Sequence, residues 1–151
     1  MGDDGTARRW SGLPAWARRV LAVYMIGFLE GSCAHLVDLA RGGLHAYDGY
    51  ADPLLQAFFL ALVVLDPLVV VLVGLARTWG VRLAAVVTTL DVTGNWIGNW
   101  GLVQHDATLV LRPVGLLPIT LFGLFVVASA GPVHRALTTA RRTIRATADV
   151  R

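Results

Sequence analysis

The chain has no lysine, a single cysteine and few charges of either sign, and each shortage excludes something. Charged residues make up 15% of the sequence and hydrophobic ones 56%, whereas a soluble domain carries about 25% charged residues. With a mean hydropathy of +0.63, the chain lacks the polar groups to cover a water-facing surface. That argues against a soluble enzyme, a disordered linker and a disulfide scaffold. The lone Cys33 rules out an intrachain disulfide and a cysteine-based metal framework. Glycine-rich phosphate loops, hydrolase motifs and CxxC pairs are missing too. An all-α integral membrane protein is the class that remains, and 151 residues allow one domain.

All 13 basic residues are arginine, against 10 acidic residues, for a net charge of +3. The pI near 9.8 does not point to nucleic acid, because the arginines cluster beside apolar segments as membrane flanks do. The abundance of Ala, Val, Leu, Gly and Arg hints at GC-rich codons and a bacterial plasma membrane. Leu29 to Cys33 approximates a lipobox, but Glu30 stands where a small or apolar residue belongs. Arg8-Arg9 and Arg18-Arg19 resemble twin-arginine signals without a small-residue cleavage site at a fitting distance. An uncleaved first helix is expected.

Four apolar stretches of about 19 to 24 residues are long enough to cross a hydrocarbon core ~30 Å thick. They run from about Val20 to Ala40, Pro53 to Ala76, Val81 to Gly101 and Pro113 to Gly131. The third is the weakest, since Asp91, Asn95, Asn99 and several threonines must be shielded by neighbours. Asp52-Pro53 supplies an N-cap and a first-turn proline for the second span. Pro113 is placed to open the fourth, and Arg41-Gly42-Gly43 to end the first with residues tolerant of a positive φ. Gly131-Pro132 is read as the end of the fourth. The chain thus divides into a basic and aromatic arm (1–19), a four-helix membrane bundle (20–131) and a basic tail (132–151). The tail is expected either as a short helix on anionic headgroups or as a frayed end.

Orientation follows from the arginines. Arg8, Arg9, Arg18, Arg19, Arg77, Arg82, Arg135, Arg141, Arg142, Arg145 and Arg151 fall on one side, and only Arg41 and Arg112 on the other. Both termini are therefore expected in the cytoplasm. Trp10 and Trp16 suit the inner interface, and Tyr47, Tyr50 and Trp100 the outer one.

The informative residues are the acids inside the spans. At ~1.5 Å per residue, Glu30, Asp66 and Asp91 each reach a depth of ~15 Å, the bilayer midplane. If the bundle turns them inward, they form one cluster, and carboxylates sharing a low-dielectric site cannot all be charged. His35 is the nearest titratable partner, with Asp38 one turn beyond it. Thr88, Asp91, Asn95 and Asn99 form a polar stripe on the third span. Gly27 and Gly31 on the first span suit close packing against the third. Pro67 frees the carbonyl one turn before it, and Pro118 is placed to do the same in the fourth span. Trp96 reads as a packing or interface residue, and His134 as a cap at the cytoplasmic end. His35, His45 and His105 lack metal-ligand spacing, so no metal site is expected.

These residues also carry a resemblance. The first span, RRVLAVYMIGFLEGSCAHLVDLA, and the second-to-third segment, LVVLDPLVVVLVGLARTWGVRLAAVVTTLD, resemble the DoxX/DoxD-like four-helix membrane proteins over roughly two thirds of the chain. Some members of that family are membrane subunits linked to thiosulfate or quinone-coupled oxidoreductases. The resemblance implies a redox-coupled subunit, with Asp66 in the place of the family's second-span acid. The run AHLVD around His35 and Asp38 is also similar, more weakly, to the first-helix segment of EXPERA-type proteins, which have short bundles with intramembrane acids.

Glu30, His35, Asp38, Asp66, Asp91, Asn95 and Asn99 are therefore the candidates for a ligand or proton site. In that reading Asp66 and Asp91 exchange protons with a small hydrophobic ligand or a quinone-type redox partner. His35 relays protons outward, and Glu30 tunes the two aspartates. No residue is assigned a catalytic role. Two other readings stand beside it: an accessory subunit whose acids meet a membrane protein partner or a second copy, and an isomerase-like enzyme acting on a lipid or isoprenoid.

Overall fold

The computed structural model describes residues 3–112 and 115–148. Within them all regular structure is helical. The helices are α1 (Asp3–Ser11), α2 (Ala15–Gly42), α3 (Pro53–Gly74), α4 (Thr78–His105) and α5 (Leu116–Ala148), with 3₁₀ turns at Gly43–His45 and Ala107–Leu111. Pro113 lies outside the described residues.

Local chemistry sets most of the boundaries. Asp52 caps α3 by accepting the Leu54 N–H at 2.8 Å, and Pro53 opens the helix. Gly43 closes α2 at φ +59°, its N–H reaching the Leu39 carbonyl. The α3–α4 turn is less orthodox. Arg77 and Ala76 donate to the carbonyls of Leu72 and Val73, the double bond pattern of a Schellman cap. Its left-handed position is Ala76, at φ +50°, where glycine is usual. The Ala76 methyl is buried in the core, which offsets the backbone cost.

Three helical stretches are long and apolar enough to cross a membrane: Ala15–His45, Pro53–Gly74 and Leu116–Ile144. The 28-residue α4 matches them in length but carries the polar stripe. The helices α2, α3, α4 and α5 pack in that order, with α5 returning to touch α2 less extensively. Large apolar side chains cover the outside of all four, including Ile26, Val64, Ile97 and Leu124. The solid core lies at the end bearing the termini, where Leu21, Tyr24, Val69, Val73, Val81, Ala84, Val126 and Val133 are all but fully buried. There the Tyr24 hydroxyl donates to the Val126 carbonyl at 2.7 Å and lies 2.9 Å from Ser129 Oγ.

Several expectations are corrected here. Gly131-Pro132 does not end the last helix, which runs through it to Ala148. Pro132 forfeits one helix bond, but Val133, Leu137 and Ala140 just beyond it are buried. The described tail is therefore neither frayed nor a separate surface helix. Pro118 sits in the first turn of α5, where proline needs no partner. Gly27 and Gly31 do not face α4. A methyl at Gly27 would strike the Phe122 ring of α5, and one at Gly31 would lie 2.6 Å from Asp66 Oδ2 on α3. His134 lies inside α5 and caps nothing; its carbonyl accepts from Thr138.

The N-terminal arm is a built element. Trp10 Nε1 donates to the Gly74 carbonyl at 2.7 Å, and Arg9 Nη1 to the Leu75 carbonyl at 3.2 Å. These satisfy carbonyls that the end of α3 leaves open, and the arginine charge complements the helix dipole. Trp10 is thus a latch on α3. Trp10→Ala is expected to cost about 1–2 kcal/mol, from the lost hydrogen bond and part of its packing. Faster proteolysis within residues 3–14, with the rest of the chain protected, would show that only the latch has opened.

Candidate functional site

Away from the solid core the helices part around a cavity of about 510 Å³. All seven candidates, Glu30, His35, Asp38, Asp66, Asp91, Asn95 and Asn99, line it. They are not equivalent. Asp66 is 4% exposed, whereas Glu30 and Asp38 stand at exposed positions on the rim. Glu30 is therefore no part of a buried triad with the two aspartates.

Asp66 is held against α2 because Gly31 has no side chain to exclude it. Among the described residues its carboxyl makes no hydrogen bond, and its polar neighbour is His35 Nε2 at 3.9 Å. The other ring nitrogen, His35 Nδ1, lies 2.7 Å from the Tyr47 hydroxyl. Tyr47 in turn donates to Asp38 Oδ2 at 3.3 Å. With the phenol proton directed to Asp38, Nδ1 is the donor to Tyr47, and Nε2 is the nitrogen left facing Asp66. One wall of the cavity thus carries a line of polar groups from a buried acid to an exposed one, hydrogen-bonded from His35 to Asp38 and open by 3.9 Å between His35 and Asp66. Burial and then the charge of Asp38 hold the Tyr47 phenol well above the ordinary tyrosine range, so it keeps its proton. Burial also raises Tyr50.

The opposite wall is the α4 stripe. Asn95 Nδ2 donates to Asp91 Oδ1 at 2.9 Å and to the Asp91 carbonyl, and Asn99 Nδ2 to the Asn95 carbonyl at 2.8 Å. Asn95 thus bonds within its own helix and orients Asp91, while Asn99 also hydrogen-bonds the Tyr50 side chain from the loop after α2. Thr88 is buried at the base of the stripe. A hydrogen bond of 2.9 Å from Trp96 Nε1 to Thr120 Oγ1 ties α4 to α5. Apolar surface comes from Phe28, Phe59 and Phe122. Phe122 meets Phe28 edge-on at 5.6 Å, closing the α2–α5 seam below the cavity.

Tyr47 and Tyr50, expected at the outer interface, line this cavity. Tyr50 stacks on Phe59 at 4.8 Å, and Tyr47 lies 5.6 Å from the same ring. Their signal in the sequence is positional: two tyrosines in a short loop straight after the His35–Asp38 turn, which must fold back over the helix end. Arg112 and Leu109 line the cavity from the α4–α5 connection. There Asp106 accepts from Thr108 N–H and Oγ–H, and these bonds hold its carboxyl below the usual carboxylate range.

No set of three metal-ligating side chains occurs among the described residues. Comparison with known proteins finds no matching family model, no similar curated protein and no similar solved structure.

Proposed function

We propose that the chain is a four-span membrane protein with both termini in the cytoplasm, and that its cavity binds a small hydrophobic ligand of quinone type. Asp66 and Asp91 exchange protons with the ligand, and His35, Tyr47 and Asp38 carry protons to the outer side. The observation that carries this reading is the buried, unbonded carboxyl of Asp66 at the head of that polar path. An acid is costly at such a site, and stability alone gives no reason for it. The fourth span is α4, whose polar face turns to the cavity while Val86, Leu90 and Ile97 cover its outside. The arginine distribution supports the orientation. The reading accommodates the resemblance to DoxX/DoxD-like proteins, with Asp66 as the second-span acid.

The test is purification in mild detergent, native mass spectrometry and extraction of bound small molecules. The wild-type chain is expected to retain an apolar ligand, and Asp91→Asn to lose it by at least about tenfold while keeping its helical content. Equal retention by both would remove Asp91 from the site. A ligand-free chain that is stable only with a co-purifying protein would make the polar core an assembly device. The apolar walls that reach both acids also favour an isomerase-like reading, in which Asp66 or Asp91 protonates a double bond. Conversion of an isoprenoid without any redox change would select it.

A further inference from the structure

The cavity has two edges of different chemistry. At its outer end Asp38 and Arg112 line it, and both are exposed. The loop between α2 and α3 is fastened across the rest of that end. The Tyr50 ring fills the space that a side chain at Gly98 would take, its carbonyl accepts from Gln56 Nε2 at 2.6 Å, and Tyr47 is bonded to His35 and Asp38. The second edge runs along the side of the bundle, where α5 meets α2 less extensively than the other neighbours meet. Ala34 on α2 and Pro118 on α5 are exposed on the bundle, yet both line the cavity. A side chain does both where the wall between them is open. Half-buried Ile119 borders the same gap. Phe122 closes it below, its ring in the space that a side chain at Gly27 would take. The edges of the gap are apolar with one exception, the exposed Glu30 on the α2 side. An acid at that level of a membrane helix is costly, and such acids mark the routes of polar groups.

We infer that the gap between α2 and α5 is a lateral portal, by which an amphiphile with a ring-sized polar head and a long apolar tail enters from the hydrocarbon and leaves its tail outside. The inference rests on the reading of the cavity as a ligand site, and adds the ligand's class and its route. A cavity of about 510 Å³ holds a drug-sized head, and a long chain has to continue beyond it. The α2–α5 gap is the apolar way out, because the outer edge carries charge. A tail there packs against Ala34, Pro118 and Ile119. Apolar surface continues down the outside of the seam, where Ile26 is exposed and Phe125 lies edge-on to Tyr24 at 6.1 Å. Glu30 gives the head a polar contact on its way in, at a level where hydrocarbon offers none. The two edges thus divide the traffic: the ligand crosses the apolar one, and protons leave by Asp38 at the polar one.

The experiment uses the full chain in lipid nanodiscs with a benzoquinone whose decyl tail ends in a photoreactive diazirine, and cross-linked residues are mapped by mass spectrometry. Labels are expected on the outer faces of α2 and α5, around Ile26 and Phe125. Ala34→Trp fills the gap and is expected to slow exchange of the bound probe at least about tenfold. Val37→Trp makes the same kind of addition at an exposed α2 position that does not line the cavity, and should exchange at the wild-type rate. Labels centred on the α2–α3 loop or on the Ala107–Leu111 turn would overturn the portal and leave the cavity a ligand site. Equal exchange in the two tryptophan variants would do the same. Uptake of the bare ring without uptake of the tailed probe would overturn the long-tailed class. A wild-type chain that takes up neither would overturn the ligand reading itself, and the portal with it. The labelling is read on the wild-type chain, so it does not depend on how the variants fold.

Discussion

Asp66→Leu is expected to stabilise the protein and to abolish ligand retention at once. Leucine places two methyl groups where the carboxyl oxygens stand, and the adjoining cavity gives them room. The carboxyl it removes is buried and makes no hydrogen bond among the described residues. The oxygens open on the cavity rather than being sealed off, since no fully buried side-chain oxygen lacks a partner among the described residues, so an apolar side chain of similar shape recovers part of the carboxyl's desolvation cost, about 1–3 kcal/mol. For a chain of this size that raises the midpoint by about 2–8 °C or more. The ligand loses the group that faces it, so the two readouts move in opposite directions. Asp66→Asn keeps the polarity and is expected to leave stability nearly unchanged while slowing proton exchange by about 10²-fold or more. Unfolding in detergent together with mass spectrometry of the retained ligand checks both. A leucine variant that is less stable by several kcal/mol would make Asp66 a structural residue and leave the proposed site without its main support.

Gly80→Ala is expected to give the largest loss of stability among single-methyl additions. Gly80 lies in the first turn of α4, where its added methyl would stand 2.7 Å from the Leu72 carbonyl carbon and 2.8 Å from the Val73 nitrogen. Those are backbone atoms of α3, joined to α4 by the short Ala76 turn, so they cannot swing aside as a side chain would. The hairpin must splay or the turn must break, at a cost of about 1–3 kcal/mol or more. Gly131→Ala provides the contrast. Nothing lies within 4 Å of that methyl, and alanine in a helix interior is favoured over glycine by about 0.5–1 kcal/mol. Chemical unfolding of the two variants under one condition should give changes of opposite sign. Equal effects would show that α3 and α4 do not approach as closely as Gly80 implies.

The apolar runs announced all four long helices, three of which are long and apolar enough to cross a membrane, and the Asp52-Pro53 and Gly43 signals marked two of their ends to within a few residues. Depth counting brought the acids to one level, and all of the candidates do line one cavity. What it could not supply was facing. These helices are apolar all round, because the lipid side needs hydrophobic residues as much as the core does. Periodicity therefore does not separate Asp66, which turns inward, from Glu30, which stays on the rim. The other surprises depend on distant segments. Trp10 finds its partner 64 residues away, and Tyr47 closes a path whose other members lie on two helices. Pro132 would stop a helix standing alone. It does not stop α5, because the buried side chains beyond it supply what the lost backbone bond took away.

That continuity gives α5 a mechanical character. Its 33 residues form a rod about 50 Å long at ~1.5 Å per residue. The Tyr24 hydroxyl grips it at Val126 and Ser129, which makes that point a fulcrum. Phe122 and Pro118 border the cavity on one arm, about 12 Å away at most, and Arg141 stands on the other, about 22 Å away. Val133, Leu137 and Ala140 hold the far arm in the core as well. The rod is therefore clamped from Tyr24 onward, and only its short arm stands as a free-ended wall beside Asp66.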